Sequence, residues 1–116
     1  MFAEGSVYAP PGDDDGARCL VMRRWPRGVA YEHVDVWLKE LAPMAELLRA
    51  LDSGRVHWGD FSVAYLQGLQ TRPQAREALA QLRGLEARSG KVTLLCHEPG
   101  FPCHRFLLLD YLKSTP

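Results

Sequence analysis

Apolar positions in this chain form short unbroken runs toward its two ends and helical spacings between them. Arg18-Cys19-Leu20-Val21-Met22-Arg23 carries four consecutive apolar residues between turn-forming neighbours. That pattern fits a buried strand. Val92-Thr93-Leu94-Leu95-Cys96 is apolar almost throughout, β-branched at its start, and bounded by Gly90 and Pro99. Its lack of alternation predicts burial on both faces, as in a parallel sheet. A shorter strand is expected over residues 6–8. Residues 9–16 then hold two Pro, two Gly and three Asp, which makes them a loop. Trp25-Pro26-Arg27-Gly28 ends the second strand.

Helical spacing begins near residue 34. Val34, Leu38, Leu41, Ala45 and Leu48 fall three or four apart. Pro43 interrupts them, ending one short helix and opening another. Trp58, Phe61, Tyr65, Leu66 and Leu69 form the next stripe. Pro73 opens a third, with Ala75, Ala78, Leu79, Leu82 and Leu85 on one face and Gly90 as its left-handed cap. Residues 103–113 read as a final helix, apolar over most of its surface and therefore largely buried. The expected fold is α/β: a small, mostly parallel sheet with a helical crossover and a C-terminal helix packed on it, one domain spanning residues 1–116.

Composition changes this picture little. The chain has 116 residues, 47% hydrophobic and 24% charged, enough for a core without staples. No apolar run approaches the ~20 residues of a membrane span. The first sixteen residues have neither a basic start nor an apolar stretch, so no signal peptide is expected. Three cysteines in such a chain read as thiols in a reducing compartment, and the expected location is cytoplasmic. Lys+Arg and Asp+Glu balance at 14 each, which disfavours a generally basic nucleic-acid binder.

The crossover implies that the strands near residues 20 and 94 are parallel neighbours. The loops leaving their carboxyl ends then share one sheet edge, where open α/β sheets bind ligands. One loop carries Arg23, Arg24, Trp25 and Arg27; the other carries Cys96, His97, Glu98, Cys103, His104 and Arg105. Four guanidiniums face one carboxylate, and a helix begins near Cys103. An anionic, phosphate- or nucleotide-like small molecule is the expected partner, held by Arg23 and Arg105, with Trp25, Arg27 and His97 alongside. Cys103 or Cys96 would be a nucleophile of lowered pKa, and His104 or Glu98 a proton carrier.

Two alternatives stay open. One is a nucleic-acid-binding module using the Arg/Trp loop. The other is a non-catalytic structural, metal-binding or redox domain. Cys96, His97, Cys103 and His104 are four zinc-type ligands, but their spacing departs from the paired cysteines of common fingers. No metal is therefore the first expectation, and no cofactor or oligomeric state is named. The spacing also disfavours a phosphatase-type loop, which needs an Arg six positions after its Cys; Pro102 stands there. Asp13-Asp14-Asp15 is a solvated loop, Cys19 a core residue, and Trp58, Phe61 and Tyr65 a packing stripe.

Several ordered segments resemble one family. Val7-Tyr8-Ala9-Pro10-Pro11, Asp14-Asp15-Gly16, Leu20-Val21, Trp25-Pro26-Arg27-Gly28 and Trp37-Leu38-Lys39-Glu40-Leu41-Ala42-Pro43 are followed by Leu94-Leu95-Cys96-His97-Glu98 and Cys103-His104-Arg105. This set resembles the YeaO-like family of domain of unknown function 488. The resemblance implies a compact α/β domain with its site at the two loops, and it supplies no reaction. Met22 stands where YeaO-like proteins usually carry an Asp, and Arg24-Trp25 where they carry Leu-Trp.

Overall fold

The computed structural model describes residues 1–96 and 103–115. The loop expected at 99–102 and the candidates His97 and Glu98 lie outside the described residues.

Four strands form one all-parallel sheet: β1 (Phe2–Ser6), β2 (Ala17–Leu20), β3 (Val36–Trp37) and β4 (Val92–Cys96), in the order β1-β4-β2-β3. The helices are α1 (Ala45–Asp52), α2 (Trp58–Thr71), α3 (Pro73–Ser89) and α4 (His104–Ser114). The expected α/β class, parallel sheet and helical crossover are all present. β4 lies between β1 and β2, pairing Gly5 with Leu95 and Leu20 with Leu95. All five of its residues are buried.

Alternation along the strands sends two sets of side chains to two different covers. Phe2, Cys19, Val92 and Leu94 join Phe61, Tyr65, Leu69, Leu82 and Leu108 beneath α2, α3 and α4. Leu20 and Leu95 join Val7, with Met22, Trp25, Val29 and Val34 packed against them. The second face is thus covered by irregular chain rather than by helices. It also carries the buried polar pair of facing residues Arg18 and Thr93.

Two expected elements are displaced. The first strand is Phe2–Ser6, not 6–8, although the Val7 N–H still donates to Cys96 O at 3.0 Å. Residues 34–41 are not α-helical. They contain β3 and a 3-10 turn, Lys39–Leu41. Val34, Val36 and Leu38 also alternate with period two, and this competes with the helical spacing. The outer edge of β2 decides the outcome: Arg18 O accepts from Asp35 N at 2.8 Å and Leu20 O from Leu38 N at 3.0 Å. Buried backbone carbonyls need such partners. β2 also ends at Leu20 rather than continuing to residue 23.

The remaining helix boundaries follow their sequence signals. Pro73 occupies the first turn of α3, where its missing N–H costs nothing. Gly90 closes that helix at φ +81°, with its N–H on Glu86 O at 2.8 Å. No helix among the described residues is long and apolar enough to cross a membrane.

Candidate active site at the carboxyl rim of the sheet

β4 delivers Cys96 to the carboxyl rim, and α4 begins beside it with Cys103 as its N-cap. His104 and Arg105 occupy the first turn. Arg105 is 2% exposed, and its Nε donates to Glu4 Oε1 at 3.0 Å. That ion pair fixes α4 to β1.

The Nε2 of His104 lies 2.8 Å from Val21 O, just past the end of β2. A carbonyl only accepts, so the hydrogen-bond pattern assigns the proton to Nε2 and leaves Nδ1 as an acceptor. Nδ1 lies 3.9 Å from Cys103 Sγ. The sulfur of Cys96 completes the group, with the three ligand-type atoms all within 4.8 Å of one another. Tyr65 meets the His104 ring edge-on at 5.7 Å between centroids. Its hydroxyl donates to Leu41 O at 2.6 Å, and burial holds its pKa far above that of a free phenol.

Cys103 differs from the expected low-pKa nucleophile. A hydrogen bond to the Cys96 sulfur pushes the pKa of Cys103 well above the ordinary thiol range, and burial and the charge of Cys96 add to this. The Arg105 backbone N–H and guanidinium pull the other way and are outweighed. Two buried sulfurs in contact cannot both ionise cheaply. Cys103 therefore keeps its proton against Cys96. The third thiol, Cys19, is fully buried in the core and pushed up to about 12 by desolvation.

Above this group opens a cavity of about 610 Å³. Cys96, Cys103 and His104 lie among its lining residues, as do Met22, Arg23 and Arg24 from the loop after β2. Described residues of both chemically loaded segments therefore line one hollow. The opposite wall includes Leu48, Leu51, Trp58 and Phe61, so much of the surface is apolar. Arg49 and Asp52 contribute charge from α1.

Other candidates fall elsewhere. Trp25, Arg27 and Arg105 are not among the described residues lining the cavity. The Trp25 indole donates to Val29 O at 2.9 Å, and its ring packs against Tyr31 and Trp37. Arg27 is exposed. Arg23 is tethered by Nε and Nη2 to Pro43 O, at 3.1 and 3.0 Å. Met22, the position where the family resemblance leads one to expect an Asp, supplies apolar wall.

Arg49, Asp52 and Trp58 were not expected at the site. Ala45, Leu48, Arg49 and Asp52 occupy one face of α1 by their spacing. Charges at two positions of an otherwise apolar stripe were the available signal. Trp58 stacks on Phe61 at 5.2 Å and lines the cavity as well, so packing and site roles coincide there.

The phenol gives a direct check on the floor. Tyr65→Phe removes the donor to a buried carbonyl and is expected to cost about 1–2 kcal/mol. Urea titration should show a lower midpoint at unchanged slope.

Comparison with known proteins identifies the family. A family model described as the active DUF488-N3 subclade matches residues 5–115. The uncharacterised protein YeaO of Escherichia coli (strain K12) is 34% identical over 111 residues, covering 93% of each chain. The uncharacterised protein Rv3073c of Mycobacterium tuberculosis (H37Rv) is 35% identical over 85 residues, 72% of this chain and 69% of its own. No solved structure matches. The matched span takes in both rim loops and all the strands save the first residues of β1, and the chain belongs to the DUF488 family, as a YeaO-like protein matching its active N3 subclade.

Proposed function

We propose that the rim cavity binds a small molecule carrying a phosphate- or carboxylate-type anion on an apolar body, and that the thiol pair on its floor acts on that molecule. The observation that carries this reading is the shared lining: Arg23, Arg24 and Arg49 against one carboxylate, Asp52, with two sulfurs and an imidazole below. Guanidinium forks suit phosphate and carboxylate, and the apolar wall with Trp58 suits a hydrocarbon or ring. Cys96 is the attacking sulfur. Cys103 keeps its proton and donates its S–H to the Cys96 sulfur, which stabilises the Cys96 thiolate, while His104 Nδ1 stands 3.9 Å from Cys103 Sγ. The description of the matching subclade as active favours a working site over an inert scaffold.

The nucleic-acid reading has less support. The ring and N–H of Trp25 are already engaged within the protein, and its loop neighbour Arg27 stands apart from the cavity.

Alkylation of Cys96 and Cys103, followed by mass spectrometry, tests the proposal. Phenyl phosphate should slow labelling more than inorganic phosphate does, because it also fills the apolar wall. Arg24→Glu and Arg49→Glu should each weaken protection about tenfold, or ~1.4 kcal/mol. Equal labelling with and without both anions, or protection indifferent to both charge reversals, would overturn it.

A further inference from the structure

We propose that Cys96, Cys103 and His104 form a three-ligand site for a zinc-class divalent cation, with its fourth position open to the cavity. All three residues are buried, and their ligand atoms lie within 4.8 Å of one another. A tetrahedral zinc holds sulfur at ~2.3 Å and imidazole nitrogen at ~2.0–2.1 Å. Those bond lengths put S and N roughly 3.6 Å apart. Cys103 Sγ and His104 Nδ1 are 3.9 Å apart, so this pair needs a few tenths of an ångström of closure, and the pairs with Cys96, within 4.8 Å, need at most about one ångström.

The imidazole is already set as a ligand. Metal-bound histidines usually donate their second ring N–H to a carbonyl or carboxylate, which fixes ring and tautomer. His104 gives Nε2–H to Val21 O and leaves Nδ1 beside the sulfurs. The charge balance also favours the ion. Two buried thiolates would be costly alone, whereas a divalent cation replaces their two protons and keeps the centre neutral. Arg105 Nη1, 4.0 Å from Cys103 Sγ, adds positive potential at that sulfur. Soft sulfur with imidazole selects zinc over magnesium or calcium.

The site uses sequence ligands 96, 103 and 104, a spacing unlike paired-cysteine fingers. Three protein ligands and an open position are the pattern of reactive rather than closed structural zinc. Metal occupancy would also tie up Cys96, so that zinc silences the thiol chemistry. This second half rests on the functional reading above.

The test needs no organic ligand. The reduced protein is titrated with cobalt(II), then zinc, in competition with a chromophoric chelator. One equivalent should bind, with a thiolate-to-cobalt charge-transfer band that zinc bleaches, and with proton release. Cys96→Ser, Cys103→Ser and His104→Gln should each weaken binding by about 100-fold or more, since even outer-shell losses cost ~10–100-fold. Circular dichroism identifies any variant that fails to fold, and the remaining variants decide. Zinc should also protect Cys96 and Cys103 from alkylation in the wild-type protein, with Cys19 in the core as internal control. Absence of the charge-transfer band, or affinity unchanged in every folded variant, would overturn the metal site. Phenyl phosphate protection measured without metal stands or falls separately.

Discussion

Replacing Gly16 by alanine is expected to cost about 4 kcal/mol, a large share of the roughly 5–15 kcal/mol that keeps a domain of this size folded. Gly16 has φ +65°, and a Cβ built there lies 2.3 Å from Lys91 O and 2.8 Å from the Lys91 carbonyl carbon. The left-handed backbone alone costs roughly 1–2 kcal/mol. The overlap must then move backbone, and the carbonyl involved is the one that accepts from Ala17 N at 2.9 Å. That bond opens the β2–β4 ladder, so the clash attacks the register that brings Val21 to the rim. Gly54→Ala is the control. Its φ is +80° with nothing within 4 Å, so only the conformational cost of about 1 kcal/mol applies. Equal urea midpoints for the two variants would contradict the account.

Arg18→Ala should cost about 3 kcal/mol. The residue is 5% exposed in the face covered by loops. Its Nε donates to His33 O at 2.6 Å and its Nη2 to Ala9 O at 3.0 Å, while Nη1 pairs with Asp15. One guanidinium therefore ties residues 9–15 and the turn near His33 to β2. The pH dependence has a definite sign. The Gly12 backbone N–H, foremost, and then Arg18 hold the Asp15 carboxyl below its usual 3.8, against an opposing desolvation. A carboxyl with a depressed folded-state pKa contributes stability that is present above its unfolded pKa and lost as pH falls through the folded one. Stability of the wild type should therefore fall below about pH 4, and Arg18→Ala should lose less over the same range. Parallel acid limbs for the two proteins would exclude this coupling.

Much of the frame was legible because its signals were redundant. β4 combines apolar continuity with flanking breakers, and α3 has Pro73 at one end and Gly90 at the other. The strand-end rule then placed Arg23 and Cys96 together, and both line one cavity. Residues 34–41 misled because Val34, Leu38 and Leu41 satisfy helical spacing while Val34, Val36 and Leu38 satisfy alternation. Unpaired groups on the edge of β2 settled the choice, and these are invisible in local pattern. Arg105 reads as a ligand-facing cation, yet it is buried against Glu4, a partner distant in sequence. Arg49 stood on a helix whose stripe looked complete without it. The low pKa expected of Cys103 fails for a related reason. Spacing revealed the arginines and the helix start, but not that the two sulfurs would meet.

The imidazole of residue 104 leans on a carbonyl 83 positions earlier. A nascent chain on the ribosome consequently cannot bring Cys96, Cys103 and His104 together until α4 has emerged and docked. Any assay of reactivity during synthesis should show a late, abrupt onset rather than a gradual rise.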